Sequence, residues 1–250
     1  MRTEGAKVGG RDRAVALDLV RTAALLGMAV FHFVFDLVLF GHLPVAVIYE
    51  GFWPLWARVV ASSFLFLSGL TLWLAHRNGL DRGRWARRFG RIAAAAALVT
   101  GATYLALGQG FVFWGILHMI AFGAVAGLAF LRLPAAVTAA CAVLVFWTGW
   151  TVALPAFDAG PWLWTGLGAA PVVAVDYVPV FPWFSAVLAG IAAGRVATAT
   201  GLWDRIAAVR VQKGHWADRL AWPGRHSLMV YLVHQPVLLA IVWAATQVLR

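Results

Sequence analysis

Charge is what this chain has least of. Only 12% of its 250 residues are charged, and just 10 are acidic, against 62% hydrophobic residues and 14 tryptophans. A water-soluble domain of this size cannot cover its surface with so few polar groups, so the composition reads as an integral membrane protein. Cysteine is nearly absent as well. The lone Cys141 excludes an intramolecular disulfide and any multi-cysteine metal site, and its apolar setting reads as a small buried side chain. No convincing small-residue cleavage site follows the first hydrophobic stretch, which is therefore expected to stay as a helix rather than leave as a signal peptide.

What charge there is has a pattern. The formal net charge of +10 would suit nucleic acid if it formed one patch, but the basic residues instead sit between hydrophobic segments. Seven spans of bilayer length can be drawn, at about 14–40, 55–76, 87–107, 111–131, 134–153, 180–198 and 226–249. Arg2, Lys7, Arg11 and Arg13 precede the first. Arg77, Arg82, Arg84, Arg87, Arg88 and Arg91 cluster around the second connection, with Arg132 in the fourth. Arg195, Arg205, Arg210, Lys213, Arg219 and Arg225 occupy the sixth. Connections 41–54, 108–110 and 154–179 hold no Lys or Arg. The positive-inside rule then puts the N-terminus in the cytoplasm and the C-terminus on the far side. The expected fold is all-α: a polytopic bundle of about seven transmembrane helices, with residues 1–13 a cytoplasmic tail and 14–250 one membrane domain. Trp203 to Leu220 reads as a basic, Trp-bearing segment along the cytoplasmic interface.

The first span carries a stripe of ionisable residues. Asp18, Arg21, His32 and Asp36 fall within about 60° of one another on a helix and cover about 27 Å of its length. Charges at such depths face protein or a water-filled cavity. Asp18, three residues before Arg21, is the natural partner for that guanidinium. Asp36, one turn beyond His32, can fix its imidazole for general-base chemistry, or the two can lock a pair of helices together. His118 enters from the outer side to a similar depth and could face His32. No spacing of further ligands supports a metal or haem there. On the last span Ser227, Tyr231 and His234 share one face, near the cytoplasmic side, before Gln235 and a kinking Pro236. His76, His215 and His226 read as solvated. Ser62, Ser63, Ser68 and Gly69 read as small-residue helix packing. Arg84, Arg87, Arg88 and Arg91 could grip a phosphorylated cytoplasmic ligand, Arg91 lying deepest. The outer loop 154–179, with Asp158 and Asp176, reads either as a cover folded over a cavity or as an aromatic interface belt.

Several segments carry a family resemblance. Arg21, ten residues and then His32 resembles the Arg-x10-His signature of transmembrane acyltransferases. The wider stretch Leu17-Asp18-Leu19-Val20-Arg21 through Met28-Ala29-Val30-Phe31-His32-Phe33 resembles the first helix of bacterial relatives of heparan-α-glucosaminide N-acetyltransferase. Phe64-Leu65-Phe66-Leu67-Ser68-Gly69, Gly115-Ile116-Leu117-His118-Met119-Ile120 and Asp176-Tyr177-Val178-Pro179-Val180-Phe181-Pro182-Trp183-Phe184 add to it. So do Gly224-Arg225-His226-Ser227-Leu228 and Tyr231-Leu232-Val233-His234-Gln235-Pro236.

The resemblance implies that acetyl-CoA enters from the cytoplasm and that its acetyl group reaches an acceptor on the far side. At the position of His32 the eukaryotic enzyme carries Asn, and its proposed catalytic His falls on His42 here; Arg21 is followed by Thr22 where Gly is typical. The expected catalytic residues are His32, Asp36, His118 and His42, with His32 favoured as base. Asp18, Arg21, Arg88, Arg91 and His234 are expected on the donor's side. No permanently bound cofactor and no metal are expected; acetyl-CoA is a co-substrate. Expected partners are the lipid bilayer, an amino-sugar or other cell-envelope glycan and, at most, a second copy of the chain, with no nucleic acid. The expected location is a bacterial inner membrane. A small transporter or proton-coupled permease would show flux dependent on Asp18 or Asp36 without CoA binding. A structural membrane subunit would lose stability, not turnover, on substitution of His32.

Overall fold

A computed structural model describes residues 2–203, 205 and 215–248, with side chains from residue 15 onward. Ten helices are described: α1 Arg2–Leu39, α2 Ala46–Tyr49, α3 Phe52–His76, α4 Arg82–Leu107, α5 Ile116–Ala126, α6 Ala135–Thr151, α7 Val180–Ala199, α8 His215–Leu220, α9 Trp222–Arg225 and α10 Ser227–Val248. Among the described residues there is no strand, only one isolated bridge between Trp114 and Tyr177. Five helical stretches are long and apolar enough to cross a membrane: Val15–Leu39, Phe52–His76, Arg82–Gly110, Val180–Ala199 and Ser227–Val248. The other two expected spans are shorter apolar helices, Ile116–Phe130 and Ala135–Thr151. The fourth is cut short because Phe111–Gly115 is not helical, so it rises only about 22 Å. Most of the expected interfacial segment, residues 206–214 with Arg210 and Lys213, lies outside the described residues.

The chain divides into two compact units, Met1–Phe64 with Thr200–Arg250, and Leu65–Ala199. In the first, α1 lies along α9 and α10. The polar pairs that join them rise together in sequence, Thr22 with Gly224, His32 with His234, and His42 with Thr246, so α1 and α10 run parallel. At the start of this seam the chains nearly touch: a Cβ on Gly224 would run into the Asp18 carbonyl. The bare backbone there lets the Gly224 N–H donate to Thr22 Oγ1 at 3.0 Å, and that hydroxyl reaches the Leu220 carbonyl at 2.9 Å. Leu25, Met28 and Val60 form a small core beside it, and the Trp56 indole donates to the Gly27 carbonyl.

In the second unit α6 and α7 make the most extensive helix pair, and α4 packs on α5. Asp81 caps α4 by accepting from the Arg84 N–H, a bond that holds its exposed carboxylate below the usual carboxylate range. The C-terminal part of α3 crosses α7 through two glycines. A Cβ on Gly69 would strike the Val187 carbonyl, and one on Gly190 the Phe66 carbonyl. In a bilayer, where burial gives little drive between helices, such backbone approach is what brings two of them together. Two other expectations change here. Cys141 is partly accessible rather than buried, and His76 is buried, at 7% exposure, rather than solvated.

The glycine crossing is testable. Gly69→Ala and Gly190→Ala are each expected to destabilise the protein by about 1–3 kcal/mol, since the carbonyls they meet belong to helix backbone. Gly101→Ala, which faces open space, is expected to leave the unfolding temperature in detergent unchanged or slightly raised.

Candidate active site

Every titratable group of the α1 stripe has a partner inside the first unit. Arg21 Nη1 reaches Asp18 Oδ1 at 2.7 Å, the ion pair its spacing predicts. His32 does not bond Asp36. Its Nδ1 lies 2.7 Å from Nε2 of His234, with ring centroids 4.9 Å apart. His234 Nδ1 in turn lies 2.6 Å from the Tyr231 carbonyl oxygen.

That carbonyl sets the protons of both neutral rings. A carbonyl only accepts, so His234 Nδ1 carries a hydrogen and its Nε2 is left as an acceptor. His32 Nδ1 must then donate to it. The lone pair that remains is on His32 Nε2. A peptide carbonyl and a second imidazole thus do what a carboxylate does in the familiar histidine arrangement: they fix the tautomer and leave one basic nitrogen.

Asp36, read from the sequence as the group that orients His32, is fully buried and accepts from Gln235 Nε2 at 2.8 Å. The correction follows from the parallel seam. His234 and Gln235 are consecutive on α10, and each takes one of the two α1 side chains spaced a turn apart. Asp36 Oδ2 and Gln235 Oε1 are buried without a partner among the described residues. His234, expected near the cytoplasmic side, stands level with His32. Gln235 was missed as a partner; its only signal was an amide in an apolar span before Pro236.

His42 is exposed, just past α1, where Gly41 turns the chain with φ 79°. Its Nε2 lies 2.7 Å from Thr246 Oγ1, which itself donates to the Val242 carbonyl. It closes the seam at the C-terminal ends of α1 and α10 and stands apart from the His32–His234 pair. Arg58, which the charge count passed over, lies on α3 between Trp56 and Val60, the two side chains nearest Gly27 of α1.

In the second unit, His118 serves the start of α5. Its Nδ1 accepts from the Gly115 N–H at 3.2 Å, and its Nε2 meets Thr100 Oγ1 at 3.2 Å. Both ring nitrogens are therefore engaged locally. Trp114 stacks on this ring, and the 154–179 loop folds back onto the same place: Trp164 packs on Trp114, and Asp176 accepts from the Ile116 N–H at 3.0 Å. Burial pushes the Asp176 carboxyl above the usual carboxylate range, while the Ile116 bond pulls the other way. The donor-side arginines separate. Arg88 turns inward, donating to Thr71 Oγ1 at 3.1 Å, whereas Arg91 is exposed. Helix period is consistent with this: Arg88 stands near the middle of the stripe formed by the buried Ile92, Ala95 and Ala96, and Arg91 at its edge. No metal-holding cluster of His, Cys, Asp or Glu occurs among the described residues.

Gln235→Leu removes the bond to a fully buried carboxyl and is expected to destabilise the protein by about 1–3 kcal/mol, read as a lower unfolding temperature in detergent. Asp36→Asn, which can still accept from Gln235, is expected to cost less.

Comparison with curated proteins and with solved structures finds no match. A family profile does match, that of heparan-alpha-glucosaminide N-acetyltransferase, catalytic, over residues 13–236. That range holds α1 from its last N-terminal turns through His234 and Gln235, and so takes in the whole carbonyl–His234–His32 arrangement. With its multiple apolar helices, the chain is a multi-pass membrane protein of the heparan-alpha-glucosaminide N-acetyltransferase catalytic family.

Proposed function

We propose that this protein transfers an acetyl group from acetyl-CoA to the amine of an amino sugar, or another cell-envelope glycan acceptor, with His32 Nε2 as the general base. The observation that carries the proposal is the chain from the Tyr231 carbonyl through His234 to His32, which leaves one imidazole nitrogen unprotonated. The acceptor nitrogen attacks the thioester carbonyl and the N–C bond forms. His32 Nε2 takes the proton that the nitrogen sheds, the C–S bond breaks, and the proton leaves with the CoA sulfur. The imidazolium formed midway is held by the hydrogen bond from Nδ1 to His234, whose own N–H stays on the carbonyl. Asp18 with Arg21 neutralises the inner part of the stripe, and Asp36 with Gln235 clamps α10 against α1.

Seven crossings suit this reading, with the N-terminus cytoplasmic, the C-terminus on the other side, and a bacterial inner membrane as the location. The parallel course of α1 and α10 supports an odd number, since the first and last crossing then run the same way. His32 lies seven residues before the end of α1, about 10 Å from its outer end, a depth that an acceptor from that side can reach.

The test is release of free CoA from acetyl-CoA by purified protein in detergent, with mass spectrometry of a mixture of amino sugars. Turnover with an acetylated amino sugar is expected in the parent and its loss, by at least about a hundredfold, in folded His32→Ala. Flux of a solute without thioester consumption would move the protein to the transporter class.

A further inference from the structure

At the end of the second unit where α3 stops, guanidiniums from two facing helices gather around one indole. Arg195 of α7 lies over the Trp73 ring of α3, its Cζ 4.4 Å from the ring centre, and its Nη2 donates to the Leu131 carbonyl at 2.7 Å. Arg77, one turn beyond Trp73, donates through Nη1 to Thr198 Oγ1 at 3.3 Å, and the Trp73 indole N–H donates to the same oxygen at 3.1 Å. Thr198 gives its own hydrogen to the Gly194 carbonyl. Both arginines are thus pinned in place by neutral groups.

A guanidinium carries five N–H donors, and these bonds engage one on each arginine. Arg195 Nε is buried with no partner among the described residues. Neither cation meets a carboxylate. The acids of residues 65–199 are taken elsewhere: Asp81 by Arg84, Asp158 by the Ala170 N–H and Asp176 by the Ile116 N–H. Two half-buried like charges held at one corner by neutral acceptors favour an anion beside them. Depth says which anion. Arg195 lies four residues, about 6 Å, before the end of the apolar α7, and Arg77 directly follows the apolar α3. Hydrocarbon gives way to lipid phosphates at such a level, and basic pockets between membrane helices there take anionic headgroups. We propose that Arg77 and Arg195 together bind the phosphate of an anionic phospholipid, with Trp73 as the platform that holds Arg195 in position. On the orientation proposed above, the lipid belongs to the cytoplasmic leaflet. The site depends on the chain crossing a membrane and not on the reaction it performs there.

The full chain is purified in detergent, stripped of lipid and titrated with phosphatidylglycerol or with phosphatidylcholine of the same acyl chains, and bound lipid is counted by native mass spectrometry. Phosphatidylglycerol is expected to bind at least about tenfold tighter than phosphatidylcholine, the worth of a charge-assisted hydrogen bond. Arg77→Gln and Arg195→Gln are each expected to remove most of that preference. Arg82→Gln takes the same charge from an exposed residue of α4 and is expected to keep it. Thr198→Val leaves both charges and releases only Arg77 from its anchor; it is expected to lose part of the preference, and it serves where a Gln variant does not fold. Equal binding of the two lipids by the parent, or an undiminished preference in the Arg77, Arg195 and Thr198 variants, overturns the site. A loss in Arg82→Gln as large as in Arg195→Gln would replace the site with a diffuse field of charge. Displacement of phosphatidylglycerol by inorganic phosphate would overturn the lipid in favour of a soluble anion.

Discussion

Burying polar groups on a membrane helix demands partners, and in this protein the demand falls on one seam. The α1 stripe would be costly in hydrocarbon if left alone. Asp18 and Arg21 pair with each other, and α10, running parallel, meets the rest: His234 takes His32 and Gln235 takes Asp36, while Thr246 takes His42 beyond the stripe. Gly224 lets the chain come close enough at the start of the seam for Thr22 to join backbone to backbone. Register and chemistry are the same fact here. A shift of one residue in α10 would leave Asp36 facing a different side chain and break the carbonyl relay to His32.

A histidine rather than a carboxylate beside His32 suits a membrane interior. A carboxylate would add a full charge where the dielectric is low. A peptide carbonyl adds no net charge, and the Tyr231 carbonyl has the His234 N–H as a donor. Polarity is passed to His32 by neutral dipoles alone. What is left on His32 is one unprotonated nitrogen, Nε2.

Much of this was legible in the sequence, and what was not has physical reasons. Hydrophobic length located the five helices long enough to cross a membrane and the two shorter apolar ones, because that signal is one-dimensional. The Arg21–Asp18 pair was legible because it is local to one helix. Partners across helices were not: a spacing of four made Asp36 the obvious companion of His32, and only the fold reveals that His234 and Gln235 stand nearer. Depth counted along separate spans likewise gave no sign that His234 stands beside His32. His76 looked solvated from its place at a helix end, and Arg91 looked deepest by residue count, because neither signal says which way a side chain turns.

The account rests on His32 and His234 acting as one unit, and a double-mutant cycle on turnover tests that most directly. Acetyl transfer is compared for the parent, His32→Gln, His234→Gln and the pair, each confirmed to be folded. If the two rings form one relay, the double variant is no slower than His32→Gln alone, since the second imidazole has nothing left to orient. Losses that multiply would mean the two histidines act independently, and the relay at the centre of this account would be wrong.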